Sequence, residues 1–202
     1  MCINRIVIQI LRIIDILGGN NIVKVVAIVG SIRKESYNMQ LAKFIQKQYT
    51  EKFELEVLSL NELPMYNQDI ENDAPQAVLD FKAKVKAADA VLWVTPEYNG
   101  TVPGVMVNAI DWLSRVDKVM IGKPSIIMGA SMGNLGTVKA QLHLRDILFS
   151  PGINSPLLSG NDVYIGAVHT KFDAEGNLTD EGTVKFLDAV IDNFLNWVKK
   201  YV

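Results

Sequence analysis

Short apolar runs and longer amphipathic stretches take turns along this chain. Lys24 to Gly30 is a continuous, β-branched apolar run, the pattern of a strand buried on both faces. Met39 to Thr50 then carries Leu41, Phe44 and Ile45 at helical spacing, with Asn38 placed to cap it. Phe53 to Leu60 alternates as a second strand, and Asn61 to Asp73 is a loop with Pro64 and Asn67. A helix is expected over Pro75 to Ala88, Pro suiting its first turn, before a third strand, Ala90 to Thr95.

The alternation continues. Val102 to Arg115 is helical, with Val105, Ala109, Ile110 and Leu113 facing inward. Ser125 to Ala130 is the fourth strand and Leu135 to Phe149 the next helix, stopped by Pro151-Gly152. Val163 to Val168 is a fifth strand weakened by Gly166, and Asp180 to Tyr201 a long closing helix. Strands alternating with helices through short connections predict a parallel three-layer α/β sandwich.

Two strand-to-helix loops carry the chemistry. Gly30-Ser31-Ile32-Arg33-Lys34-Glu35-Ser36-Tyr37-Asn38 follows the first strand. Backbone amides at a helix start, the neutral donors Ser31, Ser36 and Asn38, and the charge of Arg33 suit a phosphate. The Gly-Lys-Ser/Thr end of a Walker motif is missing, and one glycine does not make a dinucleotide fingerprint. Alone, the loop reads equally well as a polar turn. Pro96-Glu97-Tyr98-Asn99-Gly100-Thr101-Val102-Pro103-Gly104 follows the third strand. Its backbone N–H groups and the Asn99 amide suit the edge of a heterocycle, and Tyr98 can pack on its face. Glu97 reads best as a brace. Open α/β sheets bind ligands at these strand ends. A phosphate beside a flat ring points to a flavin.

Composition narrows the alternatives. The chain has 202 residues, 49% hydrophobic and 21% charged, which suits one globular domain. A net charge of -2 without a basic block gives nucleic-acid binding no support. With one cysteine, Cys2, and two histidines, His143 and His169, neither a disulfide, a Cys-x-x-Cys redox pair nor a zinc site is expected. Redox electrons would have to sit on an organic cofactor.

Residues 1–22 stand apart. Ile3, Ile6, Val7, Ile10, Ile13, Ile14 and Leu17 keep helical spacing, which suits an interfacial or dimer-forming helix. The stretch is too short to span a membrane. The preferred reading is a start-site artefact. Gly18-Gly19 matches what a GGxGGx ribosome-binding sequence encodes, three codons before Val23, itself a residue that a GTG start would occupy. The expected domain is therefore 23–202.

Gly30-Ser31-x-Arg33-x-x-Ser36-x-Asn38, then Pro96 to Gly104 with Asn108-Ala109-Ile110-Asp111-Trp112-Leu113-Ser114-Arg115, then Gly129-Ala130-Ser131-x-Gly133-x-x-Gly136, resembles the NADPH-dependent FMN reductase family. That family includes flavodoxin-like quinone, azo-dye and chromate reductases. The resemblance implies a flavodoxin-like five-stranded parallel sheet of order 2-1-3-4-5, and a homodimer or homotetramer; with no convincing secretory signal, a cytoplasmic location is expected. It implies a flavoprotein oxidoreductase passing hydride from NADPH or NADH to FMN and then to a quinone, azo, chromate or free flavin acceptor. Ser31, Arg33, Ser36 and Asn38 would hold the phosphate, with Met39 also in the cofactor set. Pro96, Glu97, Tyr98, Asn99 and Gly100 would line the ring, and Ser131 and Gly133 would close its other side. No side chain is expected to be catalytic, because the flavin carries the chemistry. Val107 and Thr137 depart from the family pattern, where a lysine and a glycine are frequent. An FMN electron carrier without turnover of its own is the alternative, and 20 basic against 22 acidic residues speak against it.

Overall fold

The computed structural model describes residues 22–202; of the expected N-terminal extension, all but Ile22 lies outside the described residues. Five parallel strands, β1 (Lys24–Val29), β2 (Glu54–Leu58), β3 (Ala90–Val94), β4 (Ser125–Ala130) and β5 (Val163–Ile165), form one sheet of order β2-β1-β3-β4-β5. Helices α1 (Tyr37–Gln48), α2 (Gln76–Ala87), α3 (Gly104–Leu113), α4 (Val138–Leu148) and α5 (Glu181–Val198) connect and cover it. The order reverses between β1 and β3, so the crevice lies over the two loops singled out from the sequence.

Side-chain alternation sorts the layers. Val25, Ala27 and Val29 of β1 face Leu41, Ala42 and Ile45 of α1 and Leu187, Ile191 and Phe194 of α5. Val26 and Ile28 face the other way, into a cluster with Phe81 and Val85 of α2, Met106 and Ile110 of α3, and Leu144 and Leu148 of α4. Every residue of β3 and β4 is buried, as strands covered on both faces require.

Three expectations change. The cap of α1 is Ser36, whose Oγ accepts the Met39 N–H at 3.2 Å. Asn38 lies inside the first turn and does not cap. The loop 61–73 contains a 3₁₀ turn, Gln68–Asp73, capped by Asn67 through the Asp69 N–H. β5 ends at Ile165 because Gly166 backs onto the Asn134 carbonyl; a Cβ there would sit 2.2 Å from that oxygen.

Asp180 caps α5, accepting the Thr183 N–H at 2.9 Å and the Lys171 ammonium at 2.8 Å. Lys171 first, then Thr183, hold its carboxyl at about 2, below the ordinary 3.8. A depressed carboxylate stabilises the fold above its ordinary pKa and loses that contribution as pH falls through the depressed one. Acid unfolding of Asp180→Asn should therefore lose less stability than the parent between about pH 4 and about pH 2. Equal losses would contradict the assignment.

Candidate functional site

The strand ends are stitched together before any side chain acts. The Gly30 N–H donates to the Val94 carbonyl, the Thr95 N–H to Met128 and the Ser131 N–H to Ile165, each at 2.9 Å. These bonds set the loops after β1, β3 and β4 side by side. Gly30 permits the approach: a Cβ there would lie 2.9 Å from Met106 Cε and 3.3 Å from Pro96 Cδ.

The first loop turns so that α1 opens towards the crevice. Of the N–H groups at its start that lack helical partners, Met39's goes to Ser36 Oγ; the Gln40 N–H, donating to the Ser36 carbonyl, makes the first regular bond of the helix. The helix provides no acceptor for the Tyr37 and Asn38 N–H groups, which is the donor set an anion needs at a helix start. Ser31 is buried, accepts the Arg33 N–H at 3.3 Å and sits 3.5 Å from the Tyr98 hydroxyl. The Arg33 guanidinium donates to the Glu35 carbonyl and lies 5.7 Å from the Tyr37 ring centre.

Asn38 does something the sequence did not announce. Its Oδ1 accepts the Ala130 N–H and its Nδ2 donates to the Ala130 carbonyl, both at 2.9 Å and buried. The amide thereby joins α1 to the end of β4, a bracing role that its reading as a phosphate donor did not include.

In the second loop, Asn99 and Gly100 both have positive φ, 53° and 71°, and the Tyr98 and Thr101 backbones bond each other at 3.2 and 3.0 Å. This is a two-residue hairpin of the type that Asn-Gly favours. Glu97 Oε2 accepts the Lys139 and Ala140 N–H groups at 2.9 and 3.1 Å. It thus caps α4 electrostatically and pins the hairpin base, in agreement with a bracing role. Thr101 Oγ1 meets His143 Nδ1 at 2.7 Å, a second pin that sequence spacing did not reveal.

The third loop is closed by Ser131, whose hydroxyl donates to the Gly136 carbonyl at 2.6 Å. Gly133 accepts the Ala167 N–H at 3.1 Å through its own carbonyl. Thr137, where the family pattern has a frequent glycine, is buried against Gly129. Val107 is half-buried and packs on the α2–α4 core cluster. Ile32, Tyr98, Met132 and Leu135 leave an exposed apolar rim around these loops.

The Asn108-to-Arg115 stretch braces the connection before α2. Asn108 accepts the Tyr66 N–H at 2.7 Å, and its amide and the Trp112 indole both donate to the Pro64 carbonyl at 2.9 Å. Arg115 pairs with Glu71 of its own chain at 2.8 Å. Arg115, then Tyr66, push the Glu71 carboxyl below its usual range.

Residues 23–170 match the profile of the NADPH-dependent FMN reductase family. A 2-hydroxy-1,4-benzoquinone reductase from Burkholderia sp. is 38% identical over 178 residues, covering 87% of this chain and 96% of the relative. A quinone reductase from Pseudomonas putida is 37% identical, covering 89% and 97%. Among solved structures, the flavoenzyme NAD(P)H:(acceptor) oxidoreductase FerB from Paracoccus denitrificans superposes with a TM-score of 0.81 at 38% identity, covering 89% and 99%.

Proposed function

The chain belongs to the NADPH-dependent FMN reductase family, an FMN-dependent NAD(P)H oxidoreductase, and from that premise we propose that its acceptor is a quinone or another small oxidised organic molecule. The observation that carries this reading is the mutual pinning of three strand-end loops: Ser31 beside Tyr98, Asn38 on Ala130, and Glu97 on the start of α4. A flat cofactor held by such loops keeps its ends fixed while one face stays open.

FMN, when bound, supplies the centre that accepts a hydride from NAD(P)H and hands it to the acceptor. The chain's own residues bind and orient. Ser31, Arg33, Ser36 and the N–H groups opening α1 would hold the phosphate, with Met39 beside them. Pro96, Tyr98, Asn99 and Gly100 would line the ring, with Ser131 and Gly133 across from them; Asn38 and Glu97 would keep these parts in register. Tyr98 is 48% exposed and Met132 61%, so water can reach the site and supply protons without a dedicated acid or base. The names of the quinone-reducing relatives support the acceptor class.

Assembly as a homodimer or homotetramer belongs to this proposal. Leu142 and Phe149, 52% and 62% exposed on α4 and at its end, provide apolar surface for a second copy. A cytoplasmic location, where reduced nicotinamides are available, belongs to it too; no helix among the described residues is long and apolar enough to cross a membrane.

The purified protein should be yellow, with bands near about 370 and 450 nm that bleach on anaerobic NADPH and return with a small quinone. A yellow protein that neither NADPH nor NADH bleaches would identify an electron carrier instead. Arg33→Ala should weaken FMN binding by about 1.5–3 kcal/mol, the value of one charge-assisted contact. Unchanged affinity in a fluorescence titration would remove Arg33 from the phosphate site.

A further inference from the structure

A pocket of about 250 Å³ opens between α2, the end of α3 and the 3₁₀ turn. None of its lining residues belongs to the three loops of the proposed FMN site, so that site does not account for it. Val78 and Trp112, both buried, form its floor, and the exposed side chains of Leu79 and Val116 stand at its rim.

The charges around it do not cancel. Two acids and three cations line the pocket. Glu71 is committed to Arg115 at 2.8 Å and Asp117 to Lys86 at 2.9 Å. The third cation, Lys82, is half-buried and in no ion pair with a described residue. Its ammonium donates to the Arg115 carbonyl at 2.7 Å, which leaves two of its three protons without a described acceptor. Burial, outweighing the opposite pull of Asp117, lowers its pKa below the ordinary 10.5, the behaviour of a desolvated cation short of counter-charge.

Val116 supplies an independent observation. Its φ is 57°, in the left-handed region, where a β-branched residue is an outlier. Strained residues of this kind collect where a ligand is gripped. The strain here holds an apolar side chain against the pocket; a glycine would take the same turn at no steric cost and leave the rim open.

We propose that this pocket binds a small apolar monocarboxylate, free in solution. The carboxylate meets the Lys82 ammonium, and the apolar body lies on Trp112, Val78 and Leu79 beneath Val116. The volume is smaller than that of pockets for drug-sized ligands and limits the body to about one ring or a short chain. The pocket stands apart from the reductase chemistry, and the inference does not rest on that reading.

Ligand-observed NMR titration with benzoate tests it, on the protein with and without added FMN. Benzoate should bind about tenfold more tightly than benzamide, which lacks the charge, and than acetate, which lacks the ring. Lys82→Gln should bring benzoate down to the level of benzamide. Val116→Gly should keep or raise the urea midpoint, because it relieves the strained turn, and still weaken benzoate severalfold. Benzoate binding no tighter than benzamide, a preference that survives Lys82→Gln, or a Val116→Gly protein that binds benzoate as the parent does would each overturn the assignment. Displacement of benzoate by FMN would also overturn it, since the ligand would then sit among the three loops instead.

Discussion

Gly129→Ala should cost about 3 kcal/mol or more, enough to consume much of the stability of a domain this size. Gly129 lies in β4, and a Cβ built there falls 2.0 Å from Thr137 Oγ1 and 2.2 Å from the Thr95 carbonyl oxygen. Thr137 could rotate only by abandoning the bond its Oγ1 accepts from Gln141 Nε2 at 3.0 Å. The Thr95 oxygen is main chain, continuous with the wholly buried β3, and cannot step aside without unpairing the sheet. Adding Thr137→Ala to Gly129→Ala should recover only the side-chain part of the loss. Gly104→Ala is the control: nothing lies within 4 Å of its Cβ position at the start of α3, and the change should be neutral or stabilising by up to about 1 kcal/mol. Urea unfolding measures all three. A Gly129→Ala protein within about 1 kcal/mol of the parent would show that the strand ends yield more easily than close packing allows.

Asn38→Ala should cost about 2–4 kcal/mol, because it strips the partners from both the N–H and the carbonyl of buried Ala130. The same change should weaken FMN binding about tenfold without removing a phosphate contact, since it lets the first and third loops drift apart. Asn38→Asp should fare no better: the carboxylate can accept from the N–H but repels the carbonyl. If Asn38→Ala keeps its stability and loses only FMN affinity, the residue is a direct ligand after all and the bracing assignment fails.

The sequence made the architecture readable because periodicity is a local property. β4 was placed to the residue, and all five strands followed from apolar runs between polar breaks. The order of the strands came with the family resemblance. What local reading missed depends on contacts across the chain. Asn38 looked like a cap because asparagine is a good one, but the turn delivers Ser36 to that position two residues earlier. Its true partner, Ala130, is 92 residues away. The Arg115–Glu71 pair was not legible because Glu71 sits in a stretch with no strong pattern, ordered by Asn67 and by the packing of Tyr66 on Trp112. Glu97 was legible as a brace, although its partners, the Lys139 and Ala140 N–H groups of α4, were not.

The strand order also sets a timetable for the growing chain. β1 pairs with β2 on one side and with β3 on the other. β2 is made first, so the second edge of β1 waits until Val94 has left the ribosome. At about 5–20 residues per second, the stretch from Leu58 to Val94 takes roughly 2–7 s to make. During that interval Val25–Val29 presents unpaired main-chain groups and an apolar face to any other strand it meets. Slower translation through residues 59–94 would lengthen that exposure and raise the yield of aggregate. A holding chaperone acting on the nascent chain would have its greatest effect in the same window.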